Sequence, residues 1–248
     1  MDSKVKLIKS FYRGLPKDRA KLETQRHGFA FLEEMLSEGV TLEYGELTQA
    51  GVLHKYKLAN IPEHGMDALL MSHVEKTCNL CLYFDARAND VFCFNLDNNH
   101  KTNNTVLIAE MEFAIRALRD LLREAGCEPL VIASGRGYHA WCRLDTRVDN
   151  ERLYELMVHA AARALEKLHE NGYDQNKIKF NFYPDVRSYD VVSLRLFGSD
   201  HAKNKVFSRI LTVDGLLDEQ RSWHWFEKHL ANNTITEKTF TEAHDAFA

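Results

Sequence analysis

The sequence predicts an α+β fold, and three observations carry that expectation. From residue 80 to residue 205, short apolar, aromatic-rich runs alternate with amphipathic stretches in the order β-β-α-β-β-α-β-β, a plan with sheet and helices on separate faces. The first 75 residues read as mostly helical, and residues 211–248 read as a helical closure. With 248 residues and 45% hydrophobic content the chain can bury a substantial core, so 1–248 reads as one domain whose motif-bearing part is 76–210.

In residues 1–75, Leu7, Phe11, Phe29, Leu32, Leu36 and Leu69 recur at near-helical spacing, interrupted at Gly14-Leu15-Pro16, Gly39 and Pro62. Leu80-Cys81-Leu82-Tyr83-Phe84 and Val91-Phe92-Cys93-Phe94 then read as two strands joined by a turn over 85–90. Ile108, Met111, Ile115, Leu118 and Leu122 fall at three- and four-residue steps, which predicts a helix that Gly126 stops. Leu130-Val131-Ile132-Ala133 is a strand running into a glycine-rich turn. Asp149 is placed to cap a further helix with the stripe Leu153, Leu156, Met157, Ala160, Ala164 and Leu168, closed by Gly172. The run 178–183 is a strand that delivers Asp185, and Trp223, Trp225 and Phe226 are expected to anchor a closing helix.

Composition narrows the function classes. A charged fraction of 27% and a net charge of −4 are ordinary, so any nucleic-acid contact must come from a local basic groove. No apolar run approaches the roughly 18–20 residues that cross a bilayer, and the N-terminus lacks a signal-peptide core, so a cytoplasmic protein with no membrane partner is expected. Five cysteines, an odd number, fit a reducing compartment rather than a disulfide framework.

Three segments could carry chemistry. In Asn95-Leu96-Asp97, alternate residues of a strand project to one face and could bring two oxygen ligands to a hard cation; the plainer reading is a turn. Ser134-x-Arg136-x-x-His139 places a hydroxyl, a guanidinium and an imidazole around two glycines at the end of an apolar strand. All three suit phosphate oxygens, and the plainer reading is a hairpin turn. Asp185, then Arg187 and Asp190, precede a turn bearing Arg195, Ser199, His201, Lys203 and Lys205. That supplies an acid for a cation and donors for an anion, or simply a solvated loop.

Taken together, the succession hydrophobic-Asn95-x-Asp97, Ser134-x-x-x-x-His139 and Asp185 followed by Arg195-Leu-x-x-Ser199-x-His201 resembles the three motifs of archaeo-eukaryotic primase-polymerases. The resemblance covers residues 80–210 and extends to Lys9-Ser10-Phe11-Tyr12-Arg13, which is similar to the start of primase small subunits. It implies an N-terminal αβ module packed on an RRM-like module, with the active site in the cleft between them. It also implies a template-directed nucleotidyltransferase that joins nucleoside triphosphates to a 3′-hydroxyl of a primer or initiating nucleotide on single-stranded DNA, releasing pyrophosphate by two-metal phosphoryl transfer. Under that resemblance Asp97 and Asp185, with Asn95 at the first acidic position, hold Mg²⁺ or Mn²⁺. Ser134, Arg136, His139, Arg195, Ser199 and His201 surround the triphosphate, with Lys203 or Lys205 as a further phosphate contact. A helicase or another replication or repair protein acting in trans is a further implied partner.

One position departs from the pattern. The first acid of the family's pair is Asn95 here, and an amide offers a carbonyl oxygen without the charge. Natural attenuation, a replacement ligand such as Asp85 or Asp90, and an engineered Asp→Asn change all stay open, as does a catalytically attenuated nucleotide- or nucleic-acid-binding module. Asp185 is preferred as the third carboxylate, with Asp190 in reserve. His73, Cys78 and Cys81 form at most half a zinc site, and buried thiols rather than structural zinc are expected.

Overall fold

The computed structural model describes residues 2–24, 30–47, 54–97, 105–174, 178–186, 193–201 and 205–248. The first part of the chain runs α1 (Ser3–Phe11), β1 (Ala20–Thr24), α2 (Ala30–Ser37), β2 (Thr41–Leu47), β3 (His54–Ala59), α3 (Glu63–Val74) and β4 (Asn79–Tyr83). Next come β5 (Ala88–Asp97), α4 (Thr105–Glu124), β6 (Leu130–Ala133), β7 (Gly137–Asp149), α5 (Asn150–Glu170) and β8 (Phe180–Tyr183). The chain ends with β9 (Ser193–Arg195), β10 (Arg209–Thr212), β11 (Gly215–Leu216), α6 (Glu219–Asn232) and α7 (Glu237–Phe247). This is an α+β fold, and the β-β-α-β-β-α-β-β order expected from residue 80 is the order from β4 to β9.

The strands form two antiparallel sheets, ordered β2-β3-β1-β4-β9 and β11-β10-β6-β7-β5-β8. In the second, β5-α4-β6-β7-α5-β8 makes a split β-α-β arrangement, with β5 and β7 central. Residues alternate between faces along a strand, and burial follows. Phe92, Phe94 and Leu96 pack on one face against the Met111, Ile115, Leu118 and Leu122 stripe of α4 and the Leu153, Leu156, Met157, Ala160 and Ala164 stripe of α5. Val91, Cys93, Ile132 and Trp141 share a second core with α1, α3, α6 and the apolar face of the first sheet. Trp141 is fully buried, edge-on to Tyr12 at 5.0 Å between centroids. Among the described residues no helix is long and apolar enough to cross a membrane.

Several expectations need correction. The described residues of 1–75 hold three strands as well as three helices. Those strands are rich in Lys, Glu and Tyr, and in β1 it is Ala20 and Leu22 that reach the core, so the apolar period is short and faint. The runs at 80–84 and 91–94 are two consecutive strands, as expected, and they belong to different sheets: β4 lies in the first between β1 and β9, and β5 in the second between β7 and β8. Ile108 is exposed at the start of the α4 stripe, and Ala114 is buried within it. Asp149 occupies the cap position of α5 without a side-chain cap hydrogen bond. In α6, Trp223 and Phe226 are buried, whereas Trp225 faces solvent. Gly126 and Gly172 stop their helices in the left-handed conformation, as expected. Phe29 lies outside the described residues.

Candidate nucleotide-binding cleft

The inward face of the second sheet begins with β5. Asn95 and Asp97, two residues apart, lie on one face, and Asn95 is opposite His139 of β7 and Asn181 of β8. Asp97 is opposite Gly137, where a side chain is excluded: an added β-carbon would stand 1.9 Å from the Leu96 carbonyl oxygen. Gly135 has φ +99°, and the Ser134 N–H donates to the Gly137 carbonyl at 2.8 Å. The glycine-first pattern is that of a tight hairpin turn. The segment is the hairpin turn that joins β6 to β7, and that turn also presents Ser134 and Arg136 beside Asp97.

The first sheet supplies the opposite wall. In β1 the even positions Ala20 and Leu22 enter the core, and the odd positions Lys21 and Glu23 face the other way. Lys21 is opposite Cys81, which is opposite Arg195, so a row from three strands faces the second sheet. Lys21, Glu23, Cys81 and Arg195 line a cleft of about 180 Å³ together with Asn95, Asp97, Ser134, Arg136, His139 and His201.

Four of the charged groups in the cleft are paired with one another. Arg136 Nη2 lies 3.1 Å from Asp97 Oδ2, and Lys21 Nζ lies 3.1 Å from Glu23 Oε1. The Arg195 guanidinium crosses the cleft, donating to the Ser134 carbonyl on the second sheet while Nη1 reaches Asn79 Oδ1 at 3.4 Å on the first. Burial, then the nearby charge of Arg195 and His201, pushes His139 down to about 3, so its imidazole is neutral. The Asn95 side chain hydrogen-bonds with Tyr183 of β8.

Seven sequence-predicted site residues thus come together: Asn95, Asp97, Ser134, Arg136, His139, Arg195 and His201. The others that are described do not line the cleft. Asp185 is half-buried just past β8. Ser199 is fully buried, with its hydroxyl donating to the Cys78 carbonyl at 3.0 Å. Lys205 is exposed, and its N–H closes onto the His201 carbonyl at 2.9 Å. Arg187, Asp190 and Lys203 lie outside the described residues. Lys21 and Glu23 were missed by sequence reasoning. Their signal is the brief alternation in Ala20-Lys21-Leu22-Glu23-Thr24, and Cys81 drew attention only as a possible zinc ligand.

The donor set falls short of the metals that the motifs imply. Among the described residues no three His, Cys, Asp or Glu side chains come together as a metal cage. Asp97 brings one carboxylate, engaged by Arg136, and Asn95 brings an uncharged amide. As placed, these residues do not fit two protein-held divalent cations. His73 serves the backbone instead. Its Nε2 meets the Phe197 carbonyl at 3.0 Å and its Nδ1 accepts from the Leu80 N–H at 3.0 Å, so both ring nitrogens are committed. All five cysteines are buried free thiols.

The fold and the cleft define a two-sheet α+β domain with a polar, cation-rich groove between its sheets. No protein-family model matches the chain, and neither does any curated protein sequence. Among solved structures, the chain is similar to the polymerase domain of Ligase D from Mycobacterium tuberculosis in complex with DNA. The match has 11% identity over 96% of this chain and 90% of that one, with a TM-score of 0.47. It is also similar to the AEP domain of the primase-polymerase of cyanophage S-2L, with 12% identity over 89% of this chain and 95% of that one and a TM-score of 0.41.

Proposed function

We propose that the chain is a nucleotidyltransferase of the primase-polymerase kind, which binds a nucleoside triphosphate in the inter-sheet cleft and joins it to a 3′-hydroxyl on a single-stranded DNA template. The supporting observation is convergence: Lys21, Arg136, His139, Arg195 and His201, from separate segments of both sheets, line one groove with Asp97 and Asn95. A triphosphate needs several donors arranged around a chain of anionic oxygens, and guanidinium groups suit it best. In this reading the second sheet is the RRM-like module of the motif resemblance.

Arg195, His139, His201 and the Ser134 hydroxyl would meet the β- and γ-phosphates, and Arg136 would exchange its contact with Asp97 for one with phosphate. The bond formed joins the 3′-oxygen to the α-phosphorus, the α–β bridging bond breaks, and pyrophosphate leaves with its charge held by these donors. Mg²⁺ or Mn²⁺ would enter with the triphosphate as part of the substrate. Asp97, Asn95 and Asp185 stand as the proposed catalytic group, and Lys203 and Lys205 as outer phosphate contacts.

The test is primer synthesis and extension on single-stranded DNA with Mn²⁺ or Mg²⁺, using the wild type and Asn95→Asp side by side. Extension by both supports a polymerase that works with an amide at position 95. A second reading, a nucleotide-binding module without transfer activity, is favoured by one observation: Asp97, the acid beside Asn95 on β5, is engaged by Arg136. It predicts silence in the wild type together with triphosphate-dependent thermal stabilisation. Absence of both activity and stabilisation overturns the proposal.

A further inference from the structure

The segment that carries His201 is held at its base. Asp200 and Phe207 face one another in an isolated antiparallel bridge. Just inside it, the His201 N–H donates to the Val206 carbonyl at 2.8 Å and the Lys205 N–H to the His201 carbonyl at 2.9 Å. This closure presents His201 to the cleft.

Outside the cleft, one side chain touches both halves of that bridge. The Lys76 ammonium stands 3.7 Å from Asp200 Oδ1 and 4.8 Å from the centroid of the Phe207 ring, and it pairs with Glu219, the first residue of α6. Lys76 is about one-third exposed, at 31% for the side chain, so these contacts are partly desolvated. Its backbone adds a separate argument. Just past the end of α3, Lys76 has φ +63° and its N–H donates to the His73 carbonyl. That left-handed position suits glycine. The contacts made by the ammonium account for a lysine there.

We propose that Lys76 is a positioning residue for triphosphate use, setting the Asp200–Phe207 bridge and, through it, the placement of His201 in the cleft. Lys76 does not line the cleft, so it acts only through the loop. The inference rests on the proposed role of the cleft in binding triphosphate. His201 meets the leaving phosphates in that reading, so the effect of losing Lys76 falls on nucleotide affinity rather than on turnover.

The experiment compares the wild type, Lys76→Ala, Lys76→Arg, His201→Ala and the Lys76→Ala/His201→Ala double variant. Steady-state primer extension with Mn²⁺ and a nucleoside triphosphate is measured alongside amide hydrogen exchange at His201 and Lys205 without nucleotide. One exposed ion pair and one cation–π contact imply that Lys76→Ala raises KM for the triphosphate about fivefold and speeds exchange at both amides by a similar factor, with kcat within about twofold of the wild type. Lys76→Arg keeps both contacts and restores KM, and the double variant is no worse than His201→Ala alone. Unchanged exchange in Lys76→Ala, a fall in kcat at constant KM, or additive losses in the double variant overturns the inference alone. A wild type that responds to triphosphate in neither activity nor thermal stability overturns the proposed function, and the inference with it.

Discussion

The Arg136 guanidinium sits 3.1 Å from the Asp97 carboxylate, at the point where Asp97 is paired across β5 and β7 with Gly137. Each group is a counter-ion for the other, and each is also the group a magnesium or manganese triphosphate would claim. On the proposed function, substrate binding in this cleft would be an exchange of partners.

That exchange predicts opposite effects from one substitution. Arg136→Ala should free the Asp97 carboxylate and tighten Mn²⁺ binding, read by electron paramagnetic resonance, while weakening triphosphate binding. Both side chains are partly exposed, so the cost to folding should stay below about 1 kcal/mol. Equal weakening of Mn²⁺ and triphosphate would show that the ion pair does not mask the acid.

Acid should destabilise the fold before the carboxylates are protonated. Burial lowers His73 to about 4, His139 to about 3 and His229 to about 4, from an ordinary value of 6.5. Above that value folded and unfolded chains are both neutral at these sites, and this stability is fully present. As pH falls from 6.5 towards 4, the unfolded chain takes up protons that the folded chain refuses, so stability falls. Three such groups give a limiting slope of about 4 kcal/mol per pH unit. Urea unfolding at about pH 7 and about pH 5 measures it, and His139→Gln should remove roughly one third of the slope. A flat profile would mean that these rings are hydrated.

Gly137→Ala tests the closeness of β5 and β7. The new methyl group meets a backbone oxygen of the neighbouring strand, which a rotamer change cannot relieve. Overpacking of this kind costs about 2–3 kcal/mol, or roughly 5–10 °C in Tm for a chain of this size. Calorimetry would show it, and a Tm within a degree or so of the wild type would place the strands farther apart.

The two tryptophans of α6 should behave differently. Trp223→Ala opens a hole beside Phe197 and Phe226 and should cost about 3–5 kcal/mol, whereas Trp225→Gln should change stability by about 0.5 kcal/mol or less. Denaturant midpoints decide between them. A large loss from Trp225→Gln would show that its exposed ring packs on something.

The helices α4 and α5 were legible because their buried stripes are long and regular and their stops are glycines in the left-handed conformation. Segments with charged residues on one face and few apolar residues on the other were not. In β1 Ala20 and Leu22 reach the core, so the alternation that points Lys21 and Glu23 into the cleft spans barely one strand. Strand partnership was hidden for another reason: β4 is buried along its whole length, and a strand buried on both faces says nothing about which sheet it joins. The motif residues of β5, β7 and β9 line one cleft, which the motif resemblance implied and the spacing of each segment alone did not. Ser199, placed at the triphosphate by the motif resemblance, lies between Gly198 and Asp200 with its hydroxyl turned inward, where it donates to the Cys78 carbonyl.

The bond from Arg195 to the Ser134 carbonyl has a mechanical consequence. It ties β9 of one sheet to the β6–β7 hairpin of the other across the groove, so one guanidinium pins the open edge between two sheets that share a core farther in. A ligand thick enough to wedge the walls apart must strand a half-buried cation and a carbonyl with no partner, whereas in the proposed function a slender polyphosphate chain would slide in without disturbing either. On that proposal the groove would sort its ligands by girth as well as by charge.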